Sequence, residues 1–418
     1  MTPRLWAAGT LAALVFALVV VAVLRVPWGV GSGPRADQLA ALETLPADAV
    51  TRGKAFHAAL RPGSYGALAV ALTIALVLGL TTLGSRLVEL AGRPLGGHWL
   101  AQALLGGLVL VLVTELCTLP FAAWRHTVLR RYGLSTQDWG GWAVDVLKGY
   151  AVGAVIGAIT LVGFFTITRL APRWWWAIGA AGAAAFMVLL TFVFPVLVEP
   201  VFNKFSSMPA GQLRSDLMAL ADRDGVPVRD VLVADASRRT RAVNAYVSGI
   251  GPTRRIVVYD TLLTEAPPEQ VQAVVAHELG HARDGDVATG TAVSALGAAA
   301  GVCLLYLLGG WTGLLRRAGV ESIAEPRALA LLIAVAAVAG LIATPAQAYL
   351  SRKIEARADR HALALQNDPA AFEAMQAKLT LVNLGDPDPH PVEHALFGTH
   401  PSTVERMAAA RAWARGAR

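Results

Sequence analysis

The sequence predicts a mainly α-helical membrane protein with seven spans and a polar domain that contains a short β-sheet. Three observations carry this prediction. Of the 418 residues, 55% are hydrophobic and only 16% are charged, against about 25% charged in ordinary globular proteins. The mean hydropathy is +0.52. The apolar residues are concentrated in runs of about 20, which is the length that crosses a bilayer as a helix.

Seven runs satisfy this length rule. The first begins near the N-terminus, and we interpret it as a retained span. Its apolar run exceeds the core of a typical signal peptide, and no clear small-residue cleavage site follows it. The only two cysteines lie inside predicted spans, so no disulfide framework is implied. The seven predicted spans are 5–24, 65–84, 99–123, 149–168, 174–198, 287–310 and 327–350.

The polar segment between spans five and six predicts alternating helices and strands. Leucines at helical spacing predict a helix over 212–225. A strand is predicted at 228–235, and two more around a Gly-Ile-Gly-Pro turn within 242–260. The segment 267–286 predicts a second helix, because two prolines suit its first turn and Glu269 suits the positive end of its dipole. The tail after span seven is predicted to be mostly helical.

The second of these helices carries the sequence HELGH. His277 and His281 lie four residues apart, so both can direct a ring nitrogen at one metal ion from the same helix face. Glu278 lies about 100° further round the helix and can reach an open coordination position. The His-Glu-x-x-His pattern is typical of zinc peptidases. The alternative is a solvent-facing helix that carries two histidines by chance.

A catalytic zinc ion usually has three protein ligands, so a third ligand is expected elsewhere in the chain. Two consecutive spans form an antiparallel pair, so the residues that follow span seven emerge on the same face as His281. We predict Glu355 as the third ligand, and Asp359, four residues on, as the acceptor of an N–H group from a zinc-bound histidine. A salt-bridged surface helix is the alternative. His361 is a competing ligand on another helix face.

Order and spacing of several stretches resemble the CAAX prenyl protease 1 family of integral-membrane zinc metallopeptidases. The resemblance implies seven spans that enclose a chamber, with a zincin-like (gluzincin) site at its cytoplasmic face. It also implies one zinc ion per chain, with glutamate, here Glu355, as the third ligand. The stretches that carry it are HELGH, FPVLVEPVFNKF (194–205), VNAYVSGIGPTRRIVVYDTLL (243–263), SRKIEARADRHA (351–362), LFGTHPSTVERM (396–407) and, more weakly, RYGLSTQDWG (131–140).

The same resemblance places three further residues on active-site positions of the family. His400 would contact the substrate or the developing oxyanion, and Arg406 would hold the local structure. We group Asn244 and Tyr246 with Arg406 as substrate-binding residues, because the strand edge around Asn244 and Tyr246 can pair with an extended peptide. From the residues alone, a His-Pro dipeptide is an ordinary turn and an arginine six residues later is ordinary surface.

Together these features predict a zinc-dependent membrane endopeptidase that cuts peptide or membrane-protein substrates. Zinc lowers the pKa of water, and Glu278 acts as the general base. One alternative is a quality-control or regulatory protease that does not act on prenylated substrates. A composition rich in arginine, alanine and glycine favours it, because that composition is typical of GC-rich bacterial genomes. A transporter with a structural zinc site is less consistent, since such a site has four protein ligands and no glutamate base.

The predicted organisation has four parts. Residues 1–198 form spans one to five, and 199–286 form a cytoplasmic catalytic segment with the HELGH helix. Residues 287–350 form spans six and seven, and 351–418 form a cytoplasmic tail that completes the zinc site. With the N-terminus outside, the cytoplasmic loops between spans contain nine lysines and arginines, against eight in the segments on the other side. This small excess follows the positive-inside rule.

The net charge of +7 fits membrane topology better than nucleic-acid binding. The basic residues of the chain are scattered through loops. A nucleic-acid site would require them to be clustered with aromatic residues. We therefore expect a multi-pass protein of a bacterial cell membrane whose catalytic side is cytoplasmic and whose main partner is the lipid bilayer. The sequence leaves the oligomeric state open.

Overall fold

The computed structural model describes residues 2–31 and 33–416. Its helices, in chain order, are α1 (Pro3–Arg25), α2 (Arg35–Glu43), α3 (Ala47–Gly79), α4 (Thr82–Gly92), α5 (Trp99–Arg131), α6 (Trp139–Leu170), α7 (Trp175–Val193), α8 (Glu199–Phe202), α9 (Gln212–Asp224), α10 (Asp260–Glu265), α11 (Pro268–Asp284), α12 (Asp286–Leu308), α13 (Thr312–Ala318), α14 (Leu329–Gln366), α15 (Pro369–Val382), α16 (Pro391–Phe397) and α17 (Thr403–Ala414). A π-helical turn at Phe194–Val198 joins α7 to α8.

Seven of the helices in the described residues are long and apolar enough to cross a membrane, which confirms the predicted number of spans. They are α1, α3, α5, α6, α7 with its extension to Phe202, α12 and α14. The second span differs from its prediction. The prediction ran to residue 84, whereas α3 ends at Gly79 and a separate helix begins at Thr82. Thr81 caps this new helix by accepting a hydrogen bond from the Leu83 N–H at 3.3 Å.

Six of the spans form a closed ring. Along the ring, α12 packs against α7, α7 against α6, α6 against α5, α5 against α3, and α3 against α14, which returns to α12. The first span packs against α12. In the apolar windows of the seven spans, the buried share of residues ranges from 0% to only 28%. Most residues in these windows therefore lie on helix surfaces that no other part of the described chain covers.

The polar segments form a four-stranded sheet with the strand order β1-β2-β4-β3. Its strands are β1 (Phe205–Ser207), β2 (Asp230–Ala234), β3 (Ala245–Ser248) and β4 (Arg255–Tyr259). The antiparallel pair of β3 and β4 was predicted as a hairpin. The parallel pairing of β2 with β4 and the short strand β1 were not predicted. Within the described residues β3 pairs with β4 alone, so its other edge is free, and β3 also packs against α11.

One hydrophobic core contains residues from both polar segments. Leu217 of α9 and Leu279 of α11 are fully buried in it. Leu363 of α14 and Phe372 of α15 are each only 1% exposed. The helix α11 lies between the sheet and the membrane-distal half of α14. The core therefore fixes α11 against α14, and these two helices carry the residues of the site.

Candidate active site

The helix α11 has clear start and stop signals. Pro268 occupies its first turn, and Gly285 ends it in the left-handed conformation with φ of 70°. One face of the helix is buried in the core, which places His277 at only 7% exposure. The Nε2 atoms of His277 and His281 lie 3.2 Å apart. The helix thus presents both imidazoles to one point, as the spacing of the motif predicts.

Glu355 from α14 completes a three-residue cluster. Its carboxylate lies 3.2 Å from His277 Nε2 and 3.5 Å from His281 Nε2. Ligand atoms bound about 2.1 Å from a tetrahedral zinc ion lie roughly 3.4 Å from one another. The observed separations of 3.2 to 3.5 Å match this value. Two imidazoles and one carboxylate are also a donor set that zinc accepts. The arrangement therefore fits a zinc ion that is held by these three residues.

The outer nitrogen of His277 is held by a carboxylate and an arginine. His277 Nδ1 lies 2.9 Å from Asp359 Oδ1, and Asp359 is only 2% exposed. Arg406 donates two hydrogen bonds to the same carboxylate, one of them 2.8 Å long. An Nδ1–H group that donates to Asp359 leaves the Nε2 lone pair free for a metal. The structure thus brings Asp359 and Arg406 together behind the imidazole.

His281 has an equivalent pair of partners that sequence analysis missed. Its Nδ1 lies 2.9 Å from Asp286 Oδ2, and Asp286 accepts a hydrogen bond from Arg357. Arg357 also pairs with Asp284 at 2.5 Å. Asp286 comes five residues after His281, beyond the Gly285 turn, so helical spacing does not predict the contact. The turn itself was the available signal, because it folds the chain back beside the imidazole.

The carboxylates of Asp359 and Glu355 also control the protonation of His277. Burial alone would lower the pKa of His277, but the carboxylates of Asp359 and Glu355 raise this pKa to about 9. A metal ion must displace that proton at neutral pH, since only the neutral imidazole is a ligand. Metal affinity should therefore rise with pH in the neutral range.

Glu278 is placed for proton transfer. It lines a cavity of about 480 Å³ together with His277, and a smaller one of about 70 Å³ together with His281. Among the described residues, no side chain donates a hydrogen bond to its carboxylate. Burial raises the pKa of Glu278 above its ordinary value. A carboxylate with a raised pKa and no hydrogen-bonded partner is suited to accept and release a proton.

The remaining predicted site residues lie at different distances from the cluster. His400 Nε2 is 3.4 Å from the Glu355 carboxylate, and its side chain is 57% exposed. Asn244 lines the larger cavity together with Glu278 and His400. The side chain of Tyr246 does not line that cavity; its hydroxyl lies 3.5 Å from Glu199 at the end of span five. Any contact of Tyr246 with a peptide beside α11 would therefore use its backbone.

The competing ligand His361 is directed elsewhere. Its Nε2 lies 3.0 Å from the carboxylate of Asp224 in α9, which also pairs with Arg283 at 2.6 Å. His361 packs beside Gly280, where an added Cβ would lie 3.0 Å from its imidazole ring. These contacts hold the His361 imidazole beside Gly280 and Asp224, and it is not part of the three-residue cluster in the described residues.

A second residue that the sequence did not reveal fixes the start of the edge strand. The Asn383 side chain accepts a hydrogen bond from the Val243 N–H at 2.8 Å and donates one to the Val243 carbonyl at 3.1 Å. The amide thus bonds Val243 as a neighbouring strand would, and Val243 is only 3% exposed. Asn244 and β3 follow directly. No local pattern around Asn383 marks this role, because the partner lies 140 residues away.

Comparison with known proteins agrees with the predicted fold and family. Residues 207–414 match the family model described as Peptidase family M48, and residues 64–204 match that of the CAAX prenyl protease N-terminal region with five membrane helices. The chain is 31% identical over 302 residues to the uncharacterized metalloprotease YhfN of Bacillus subtilis, covering 72% of this chain and 71% of that protein. The chain belongs to peptidase family M48.

Two further similarities extend this result. The CAAX prenyl protease 1 homolog of Arabidopsis thaliana is 30% identical over 315 residues, which cover 71% of this chain and 70% of that protein. The crystal structure of S. mikatae Ste24p superposes with a TM-score of 0.79 over 98% of this chain and 99% of the other, at 20% identity. The predicted family and fold class are confirmed. This M48 member is a membrane metalloendopeptidase of a zinc-dependent family.

We expect Asn383→Ala to loosen the edge strand of this M48 peptidase without changing its zinc content. The substitution leaves the buried Val243 N–H and carbonyl without partners, at a cost of about 1–3 kcal/mol each. Hydrogen exchange at residues 243–248 should accelerate, and KM for an extended peptide should rise. Asn383→Asp keeps the acceptor for the Val243 N–H but sets an oxygen that cannot donate against the Val243 carbonyl, so it should also accelerate exchange. Unchanged exchange in Asn383→Ala would contradict the proposed function of this amide.

Proposed function

We propose that this peptidase hydrolyses extended peptides at the membrane face, with one zinc ion held by His277, His281 and Glu355. The observation that carries the proposal is the convergence of these three side chains beside Glu278. Their ligand atoms lie 3.2 to 3.5 Å apart. A structural zinc site would need a fourth protein ligand, and no other histidine, cysteine or acidic side chain joins this cluster in the described residues.

The catalytic steps follow from the positions of the side chains. A bound zinc ion supplies Lewis acidity, which lowers the pKa of water from 15.7 to about 7. Glu278 accepts the proton of the attacking water and passes it to the leaving amine. His400 donates a hydrogen bond to the developing oxyanion, and one such donor contributes about 3–4 kcal/mol to catalysis. Asp359, with Arg406 behind it, keeps His277 in the tautomer that leaves Nε2 free.

The free edge of β3 supports a peptide-binding function. An extended peptide that pairs with Ala245–Ser248 would pass directly beside Glu278. The cavity at the Asn244 end of this strand measures about 480 Å³. At the other end, a cavity of about 680 Å³ extends from Ile250 to Phe192 and Val196 near the end of span five. The substrate path therefore runs from the membrane-proximal cavity past the metal cluster.

We infer that substrates are peptides delivered from the membrane or from the interior of the ring of spans. His281 lies five residues before α12 and Glu355 lies in the helix that leaves the last span. At 1.5 Å per helical residue, the cluster lies within roughly 10 Å of the polar edge of the bilayer. The names of the eukaryotic relatives associate them with prenylated peptides. A lipidated C-terminal peptide is therefore one substrate of this class.

The proposed organisation follows the four predicted regions: spans at 1–198 and 287–350, and two catalytic segments at 199–286 and 351–418. The buried core shared by α9, α11, α14 and α15 supports a single catalytic domain made of the two segments. We place this domain in the cytoplasm of a bacterial cell, on the basis of the small excess of basic residues in the loops of that side.

Glu278→Gln and Glu355→Gln should separate proton transfer from metal binding. The first variant should retain zinc and its fold but lose proteolysis, because an amide cannot accept the proton of water. The second should lose most of its zinc, because a ligand carboxylate is removed. Zinc per purified chain and cleavage of a membrane-tethered peptide measure the two effects. Near wild-type cleavage by Glu278→Gln would disprove the mechanism.

The orientation can be tested with single cysteines in a background without Cys117 and Cys303. Ser206 and Glu321 are exposed positions on opposite sides of the predicted membrane. In intact cells, an impermeant thiol reagent should label Glu321→Cys and not Ser206→Cys, and both positions should react after permeabilisation. The reverse labelling would place the catalytic domain outside the cytoplasm.

A further inference from the structure

A cavity far from the catalytic residues lies where the loop between α5 and α6 meets the catalytic domain. It measures about 300 Å³, which is at the lower end of the range for small-molecule sites. Arg125 and Arg239 line it, together with His126, Ser135 and other polar or apolar residues, and no carboxylate does. The cavity wall therefore carries two positive charges and hydroxyl and imidazole groups that can bond an oxyanion.

Two polar groups of this cavity lack partners in the described residues. Arg125 is exposed, and no carboxylate lies within ion-pair distance of it. His126 is 3% exposed and stacks on Trp142 at 5.3 Å, but its Nε2 has no hydrogen-bond partner. A buried polar atom without a partner carries a desolvation cost that a ligand can relieve. The cavity therefore has a cation and an imidazole nitrogen available for a ligand.

The nearest acidic group is already neutralised. Asp145 accepts a hydrogen bond from Gln137 at 2.7 Å and lies 3.9 Å from Arg239 and 3.8 Å from Lys148. Arg239 additionally donates to Asn203. Asp138 is occupied as the cap of α6, where it accepts from the Gly141 N–H at 2.7 Å. The three cations Arg125, Arg239 and Lys148 outnumber the two carboxylates Asp138 and Asp145, so the region keeps a net positive charge.

The cavity lies at the depth of the lipid headgroups. Arg125 and His126 come directly after the apolar part of α5. Trp124 and Trp139 beside them are 49% and 45% exposed. Exposed tryptophans next to arginines are typical of the boundary between hydrocarbon and water. Basic pockets between membrane helices at this level bind anionic lipid headgroups.

We propose that this cavity binds a phosphoryl group, supplied by the headgroup of an anionic phospholipid. The phosphate contacts Arg125 and Arg239, and it accepts a hydrogen bond from His126. A ligand in this cavity contacts both the loop between α5 and α6 and the segment around Thr240. The two are joined there, because Ser135 and Thr240 form a β-bridge and the Arg241 N–H donates to the Leu134 carbonyl at 2.8 Å. The bound headgroup would therefore stabilise the segment that leads into Asn244 and β3.

The test compares wild type, Arg125→Gln and Arg131→Gln as full-length proteins in nanodiscs. Arg131 is an exposed arginine at the end of the same helix that does not line the cavity, so it controls for general surface charge. The probes are phosphatidylglycerol, phosphatidylcholine and, in phosphatidylcholine nanodiscs, soluble glycerol phosphate. Lipid retention by native mass spectrometry and Tm report binding, because a ligand that binds the folded state raises Tm.

We expect phosphatidylglycerol to be retained and to raise Tm relative to phosphatidylcholine in wild type and Arg131→Gln. In Arg125→Gln its affinity should fall about fivefold, with Tm in phosphatidylcholine unchanged. If glycerol phosphate alone raises Tm in wild type but not in Arg125→Gln, the result would support the phosphoryl site and identify a soluble source for its ligand. Equal losses in the two variants would overturn the proposal, and so would the absence of any preference for phosphatidylglycerol over phosphatidylcholine together with no effect of glycerol phosphate.

Discussion

A buried cluster of ionisable side chains joins two helices that each continue into a membrane span. His277 and His281 lie on α11, which is followed within two residues by the span α12, and Glu355 lies on α14 beyond the last span. Burial of charged groups costs several kcal/mol per ion unless they are paired or bound to a metal. The contact between α11 and α14 is therefore both the candidate catalytic centre and the junction between the membrane region and the catalytic domain.

The residues behind the two imidazoles repeat one arrangement. Each outer nitrogen lies 2.9 Å from a carboxylate, Asp359 or Asp286, and each carboxylate is bonded to an arginine. Asp286 begins α12, whereas Asp359 belongs to α14. The orientation of both rings thus depends on helices that cross the membrane. The proposed metal ligands therefore depend on the membrane helices for their orientation.

Much of the fold follows from local patterns. The spans are visible because each requires about 20 apolar residues, and α11 is visible from its prolines and its glycine. The pair His277 and His281 needs only helical spacing, and Glu355 needs only the antiparallel course of two spans. The partners Asp286 and Asn383 could not be predicted, because a glycine turn and a contact across 140 residues place them. The parallel pairing of β2 and β4 is likewise a long-range contact.

Zinc K-edge absorption spectroscopy on the purified full-length protein tests the central claim most directly. If His277, His281 and Glu355 hold the ion, the first shell will contain two imidazole nitrogens at about 2.0–2.1 Å and carboxylate or water oxygens at about 2.0–2.2 Å. Multiple scattering from the rings counts the imidazoles. A third imidazole in the first shell, or a sulfur at about 2.3 Å, would contradict this account of the site.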